Sequence, residues 1–293
     1  QGTTYHYRLE ATNNDGRTDG LDSPFTTTQP PLPPQVLAHD DANGYTNGAG
    51  NPAWFFGATT NGGYGFVPWV FRRTTNDGSH FSGFYVGNGG AIATSNNSSW
   101  GIYANGTPVN MAVAFRGFSN AMTANTLFRI KWQTHGIGFS SDNFGGFSLR
   151  TGNANASTAD YTSGERFAFF YRGGSTDDVW IRDGSGEYQL SSAVSYGALA
   201  SGVTIEVTLL PDDIYRLAIK DATGVNTIAS LDNRPLAASG LIQSVALYAS
   251  QTDGDQNFNT MEIATGSLIP PHILNVQPAN NSIYVPSSNQ VSF

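Results

Sequence analysis

The sequence of 293 residues lacks cysteine altogether. Disulfide bonds and cysteine-ligated metal centres are therefore excluded, and cysteine usage leaves the cellular compartment undecided. The sequence also lacks any run of about 18 apolar residues, so no membrane-spanning helix is predicted.

Charge is scarce as well. Only 12% of the residues are charged, the formal net charge is −8, and lysine occurs only at Lys131 and Lys220. An acidic surface repels phosphate backbones, and no basic stripe with interleaved aromatic residues is present. We therefore expect no nucleic-acid partner.

Helical periodicity is missing too. No segment keeps apolar residues at the i, i+3, i+4, i+7 spacing for three turns, whereas 34 glycines and 14 prolines interrupt the chain. Most of the polarity comes from Asn, Ser, Thr and Gly. This composition favours short strands and turns, so we expect almost no helix.

The clearest strand patterns are short and bounded by Gly, Asn, Asp or Pro. They cover residues 66–71, 81–86, 100–104, 127–133, 165–172, 203–210, 214–220 and 241–249. Residues 203–209 and 215–219 have apolar odd positions and flank a turn at 211–213, which predicts an antiparallel hairpin with one buried face. Many such strands in one domain predict an all-β, two-sheet sandwich.

Two proline clusters predict the domain boundaries. The sequence QPPLPP occupies residues 29–34, and IPPH occupies residues 269–272. We divide the chain into the last strands of one domain, a linker, a central sandwich domain and the first strands of a following domain. These segments cover residues 1–28, 29–35, 36–268 and 269–293. Because an isolated hairpin is only marginally stable, we expect each end to belong to a larger domain.

Short segments carry a resemblance to known modules. Residues 5–13 (YHYRLEATN) resemble the strand with the tyrosine corner of fibronectin type III domains, and residues 276–286 (VQPANNSIYVP) resemble the start of bacterial Ig-like repeats. Residues 63–71, 83–87, 99–104 and 144–149 (GYGFVPWVF, GFYVG, SWGIYA and FGGFSL) are similar to modules of large secreted bacterial proteins that look like concanavalin/laminin-G-type jelly rolls. The resemblance implies a concanavalin-like jelly roll with partial Ig-like or fibronectin strands at both ends. It also implies an extracellular or cell-surface location, and it carries no catalytic motif over to this chain.

Carboxylates suited to catalysis are few. The central segment has only Glu165, Glu187, Glu206 and Glu262, and no strand carries the alternating acidic residues of sugar-cleaving sandwich enzymes. The G-x-S-x-G sequence of serine hydrolases is also missing. We therefore expect a protein without enzymatic activity.

One acidic loop could hold a cation. Asp253, Asp255 and Asn257 place oxygen ligands at alternate positions, as a structural calcium ion would require. Asp40 and Asp41 would add ligands if the first and last strands of the sandwich lie side by side. The alternative is a solvated turn without a metal.

Aromatic side chains indicate where a sugar could bind. Trp54, Tyr64, Trp69 and Trp100 lie in the Gly- and Asn-rich first third, where loops would display rings that stack on the apolar C–H faces of sugars. The alternative for these rings is packing in the core. On the strand at 127–133, Phe128 and Trp132 alternate with Arg129 and Lys131, which places both rings in the core.

Arginines are the second group of candidate ligand contacts. Arg72 falls directly after one strand pattern and Arg129 within another. A guanidinium group can bond carboxylates or sulfates of a polysaccharide through two parallel hydrogen bonds. The alternative is pairing with Asp and Glu on neighbouring strands.

We therefore predict a non-catalytic module that binds a polysaccharide or a cell-surface glycan through aromatic rings and arginines. The second hypothesis is a structural or adhesive spacer. Such a spacer would contact neighbouring Ig-like modules and could assemble by strand complementation.

Overall fold

A computed structural model describes residues 4–26, 35–46, 53–55, 62–74, 81–94, 96–105, 110–136, 143–173, 178–190, 194–252 and 254–265. Contacts between residues define one compact unit at Gln35–Gly266. The strands are β1 Thr4–Tyr7, β2 Glu10–Asn13, β3 Gly16–Asp19, β4 Ser23–Thr26, β5 Gln35–Asp40, β6 Val70–Arg73, β7 Phe81–Gly87, β8 Ser99–Asn105, β9 Met111–Met122, β10 Thr126–Thr134, β11 Phe144–Arg150, β12 Glu165–Arg172, β13 Asp178–Asp183, β14 Gly186–Gln189, β15 Val203–Leu210, β16 Ile214–Asp221, β17 Thr227–Pro235, β18 Ile242–Ser250 and β19 Gln256–Thr265.

Helices are short. Over the described ranges there are one α-helix, α1 Tyr196–Ala200, and three 3-10 turns at Gly90–Ile92, Thr158–Thr162 and Pro211–Asp213. The near absence of helix is as predicted. Within the described residues, no helix has the length and apolar composition that crossing a membrane requires.

The N-terminal residues form two small antiparallel pairs. Strand β1 pairs with β4, and β2 pairs with β3 across a turn at residues 14–16. Gly16 in this turn has φ of +137°, a conformation that favours glycine. Assignment of these strands to a fibronectin or Ig-like domain stays a prediction, and residues 269–293 lie outside the described residues.

The first sheet of the compact unit has the strand order β17-β16-β15-β10-β19-β8-β7, with β5 also paired to β19. The first and last strands of the unit, β5 and β19, therefore lie side by side, as expected for a jelly roll. The predicted hairpin is present as β15 and β16, with Ile205 opposite Ile219 and both side chains buried.

The second sheet has the order β14-β13-β12-β11-β18-β9-β6, and every pairing in it is antiparallel. The two sheets pack face to face over one continuous apolar core. Phe128 and Trp132 are fully buried in this core, as predicted. The fold is an all-β, two-sheet antiparallel jelly-roll sandwich.

The strand predictions were accurate except at one edge. Seven of the eight predicted segments match a strand to within one residue at each end. The prediction for residues 66–71 was wrong at its start, because β6 begins at Val70. Pro68 has no N–H to donate to a neighbouring strand, which explains the late start.

A buried ion pair connects the two sheets. Arg116 on β9 lies 2.9 Å from the Asp40 carboxylate on β5, and both side chains are almost fully buried. The Tyr45 hydroxyl donates to the same carboxylate, and Arg116 also donates to Gly62 O at 2.9 Å. Asp40 therefore points into the sandwich rather than towards a surface calcium site.

Candidate functional site

Three of the predicted sugar-binding rings are in the core. Trp54, Trp69 and Trp100 are at most 7% exposed. Their ring centroids lie 5.0 to 5.9 Å apart, so each ring face is covered by other side chains. The prediction that loops display these rings was wrong. The gap between two wide sheets is filled by large side chains, and these indoles help to fill it.

Tyr64 and Arg72 lie in different parts of the unit. Tyr64 is 54% exposed beside β5, where its backbone bonds to His39 and the two rings lie 6.3 Å apart. Arg72 is half-buried on β6 and donates to Ala156 O at 3.0 Å and to Phe71 O at 2.8 Å. The structure does not bring these two candidates together, and ligand contact by either stays a prediction.

Arg129 lies on the outer face of the first sheet between two glutamates. Its guanidinium group bonds to Glu206 Oε1 at 2.9 Å and to Glu262 Oε2 at 2.6 Å. Lys220 contacts the other oxygen of Glu206 at 2.8 Å, and His39 contacts the other oxygen of Glu262 at 3.0 Å. Lys220, Glu206, Arg129 and Glu262 form a row of alternating charge across four strands, and His39 on β5 hydrogen-bonds to its end. Arg129 therefore has the alternative role of cross-strand pairing.

The predicted calcium ligands are engaged with hydroxyl groups. Asp255 Oδ2 accepts a hydrogen bond from the Tyr85 hydroxyl at 2.6 Å, and Asn257 Oδ1 accepts one from Ser99 Oγ at 3.1 Å. Asp253 lies outside the described residues, among which no group of three His, Asp or Glu side chains is placed to bind a metal. Asp255 Oδ2 and Asn257 Oδ1 are therefore hydrogen-bonded without a cation.

The residues that the structure does bring together lie on the outer face of the second sheet. Along β12 and β13, Phe169, Tyr171 and Ile181 are in the core between the sheets. The alternating residues of the same strands therefore point outward. We call the open part of this surface the arginine face, and it comprises Arg172, Trp180, Arg182 and Glu187. Glu165 joins them because the register of β12 shifts at its first residues, and its carboxylate contacts Arg182.

Ion pairs hold the arginine face together. Arg182 Nε lies 3.4 Å from Glu165 Oε1 and 3.3 Å from Glu187 Oε2, so this guanidinium group lies between the two carboxylates. Arg172 contacts the other oxygen of Glu187 at 2.8 Å. Glu187 is directly opposite Arg182 in the ladder of β13 and β14. The pairing fixes planar polar groups on a rigid sheet.

Aromatic rings support these charges from below. The Cζ of Arg172 lies 4.9 Å from the centroid of the half-buried Trp180 ring and 5.4 Å from that of Phe170. Arg182 Cζ lies 5.2 Å from the same Phe170 ring. Cation–π contacts of this kind orient the guanidinium planes, and the Arg172 and Arg182 side chains stay 29% and 30% exposed.

Two titratable groups at the rim have perturbed pKa values. Burial raises the pKa of Glu165 to about 7, although Arg182 nearby lowers it. Burial also raises the pKa of Tyr248 well above its usual value. Among the described residues, Glu165 Oε2 and the Tyr248 hydroxyl have no hydrogen-bond partner. Such groups concentrate at functional sites, which favours this face as the site.

Residues 151–164 border the arginine face by crossing the other half of the sheet. The Tyr161 ring packs against Phe144 and Tyr248 at centroid distances of 5.8 and 4.8 Å, and Ser148 Oγ donates to Tyr161 O at 2.6 Å. Arg150, fully buried, donates to Ala154 O at 2.9 Å. Because residues 151–164 cover the other half of this sheet, the accessible part of its outer face is formed by β12 to β14.

The sequence contained a signal for this face that pattern reasoning missed. In β12 and β13, an aromatic residue precedes an arginine by two positions, at Phe170 and Arg172 and at Trp180 and Arg182. Residues two apart in a strand share a face, so these pairs predict an aromatic and cationic surface. Both faces of β12 are apolar, however, and this hid which face is outside.

Comparisons with known proteins gave matches among solved structures. No protein-family model and no curated protein matches the sequence. Among solved structures, the T. cruzi calreticulin globular domain has 8% identity over 67% of this chain and 83% of its own, with a TM-score of 0.43. The VIP36 exoplasmic/lumenal domain, in a form bound to Ca2+ and Man3GlcNAc, has 9% identity over 71% and 89%, with a TM-score of 0.38. A glycosyl hydrolase family 16 protein from Mycobacterium smegmatis has 11% identity over 67% and 91%, with a TM-score of 0.39.

Proposed function

We propose that the compact unit is a non-catalytic carbohydrate-binding module that holds a glycan across the arginine face. The observation that carries this proposal is Trp180, the one tryptophan outside the core, lying beside Arg172 and Arg182 on an open sheet surface. An extracellular or cell-surface location, implied by the resemblance above, is part of the same proposal.

The chemistry of the face suits a sugar. The part of the half-buried indole that Arg172 leaves uncovered offers an apolar surface to the C–H groups of a pyranose ring. Guanidinium N–H groups of Arg172 and Arg182 donate to sugar oxygens, and the Glu187 carboxylate accepts from sugar hydroxyls. Because these groups are already paired on the sheet, little side-chain ordering is needed when a ligand binds.

The arrangement of the carboxylates supports binding without hydrolysis. Two carboxyl groups of a glycosidase flank the bond that is cleaved, with the sugar between them. Here the guanidinium group of Arg182 lies between Glu165 and Glu187 and contacts both. A glycosidic bond cannot occupy the same space while these contacts persist.

The proposal is tested by affinity electrophoresis of the full chain through gels that contain plant, algal or bacterial polysaccharides. We expect at least one polysaccharide to retard the protein. Trp180→Ala and Arg172→Ala should each weaken that binding about ten-fold or more.

The matched control is Arg216→Ala, since Arg216 is a half-buried arginine paired with Asp232 on the first sheet. Control binding should equal that of the wild type. Failure of every polysaccharide to retard the wild-type protein would overturn the proposal and favour the structural or adhesive spacer.

A further inference from the structure

A second aromatic surface lies on the outer face of the first sheet, on β7 and β8. Tyr85 is directly opposite Gly101, and Tyr103 is directly opposite Gly83. Phe81 is two residues before Gly83 and therefore on the same face. We call Phe81, Tyr85 and Tyr103 the tyrosine platform.

The glycines hold the two tyrosine rings flat against the sheet. A Cβ atom on Gly101 would lie 2.1 Å from Tyr85 Cζ, and one on Gly83 would lie 2.9 Å from Tyr103 Cζ. Each ring therefore occupies the space above the backbone of the opposite strand, with its other face turned outward. Both tyrosines are half-buried, and Phe81 is 48% exposed.

A carboxylate fixes one edge of the platform. The Tyr85 hydroxyl donates to Asp255 Oδ2 at 2.6 Å and is 3.4 Å from Asn257 Oδ1. No Lys, Arg or His of the described residues forms an ion pair with Asp255. The edge therefore offers a negative charge and acceptor oxygens, which favour hydroxyl donors and repel anions.

We infer that the tyrosine platform is a second carbohydrate-binding site, which takes a neutral glycan. The sugar stacks its C–H face on the outward faces of Tyr85, Tyr103 and Phe81, and a sugar hydroxyl donates to the Asp255 carboxylate. Arginine is absent from these contacts, so the platform differs from the arginine face in its preference for an uncharged ligand.

The two surfaces are on opposite sheets of one sandwich and face away from each other. One molecule can therefore hold two glycan chains at the same time, which raises its avidity for a polysaccharide matrix. This site does not depend on the proposed function, because it shares no residue with the arginine face.

The test uses affinity electrophoresis of the full chain with three neutral polysaccharides, a β-glucan, a mannan and a xylan, and with polygalacturonate as the acidic counterpart. We expect at least one neutral polysaccharide to bind, and Tyr103→Ala to weaken that binding about ten-fold. Phe81→Ala, which alters only an exposed ring, should weaken it about three-fold and keeps the test valid if Tyr103→Ala does not fold.

Phe55→Ala is the matched control, because Phe55 is 41% exposed and lies outside the platform. Neutral-glycan binding should be unchanged in Phe55→Ala and should persist in Trp180→Ala. The inference is overturned if no neutral polysaccharide binds, or if Phe81→Ala binds like the control. Loss of neutral-glycan binding in Trp180→Ala alone would also overturn it, while leaving the proposed function intact.

Discussion

Trp54, Trp69 and Trp100 lie between the sheets, whereas Trp180 lies on the outer face of the second sheet. All four are the same residue type, so the difference comes from position on the strand or loop. A ring that fills the gap between sheets stabilises the fold by burying apolar area. A ring that lies on the outer face of a sheet is available to a ligand. Trp180 belongs to the second kind.

A prediction at the residue scale concerns Glu165. Its pKa is raised from 4.5 to about 7 in the folded protein, so folding favours the protonated side chain. The stabilisation of the folded state is complete below about pH 4.5 and is lost as the pH rises through 7. We expect the free energy of unfolding of the wild type, relative to Glu165→Gln, to fall by about 2 kcal/mol from about pH 5 to about pH 8. Urea unfolding of both proteins at the two pH values measures this change.

Subtracting the unfolding free energy of Glu165→Gln from that of the wild type removes the contribution of every other titrating group. Burial also raises the pKa of Asp40, to about 6, but Asp40 is present in both proteins. A difference in unfolding free energy that does not vary with pH would contradict a raised pKa at Glu165.

At the scale of an element, the glycine-rich segment at residues 62–65 is hydrogen-bonded to strand β5. The backbone of Tyr64 exchanges two hydrogen bonds with His39, at 2.9 and 3.0 Å. Gly63 has φ of +74°, and a Cβ atom on it would lie 2.1 Å from His39 O. Position 63 therefore requires glycine for two reasons, its positive φ and the lack of space for a Cβ atom.

We expect Gly63→Ala to lower the free energy of unfolding by about 3 kcal/mol or more, from backbone strain and a steric clash together. Gly44→Ala is the matched control, because Gly44 has a similar φ of +75° but no atom within 4 Å of the added Cβ. The control should lose only about 1 kcal/mol. Equal losses, measured by urea unfolding, would show that the clash is relieved without cost.

The segment that leads into β19 gives a third prediction. Asp255 and Asn257 accept hydrogen bonds from Tyr85 and Ser99, so neither needs a cation to satisfy its oxygen atoms. We expect EDTA to change the unfolding temperature by less than about 1 °C. A fall of several degrees, reversed by added calcium, would restore the calcium site predicted from the sequence.

For the whole molecule, the sequence predicted the fold better than the site. The hairpin of β15 and β16 could be placed because its alternation marks a single inward face. Strand β12 could be placed but not oriented, because Phe167, Phe169 and Phe170 make both of its faces apolar. The burial of Trp54 depends on long-range packing of two sheets, which no local pattern records.

The most direct test of the account is the 1H–15N spectrum of the five tryptophan indoles during titration with a polysaccharide that retards the wild type and Phe81→Ala equally. Tryptophan occurs at Trp54, Trp69, Trp100, Trp132 and Trp180. If the glycan binds on the arginine face, the Trp180 indole signal shifts and the four core signals stay in place. A shift of the core signals with Trp180 unmoved, or no shift at saturation, would contradict it.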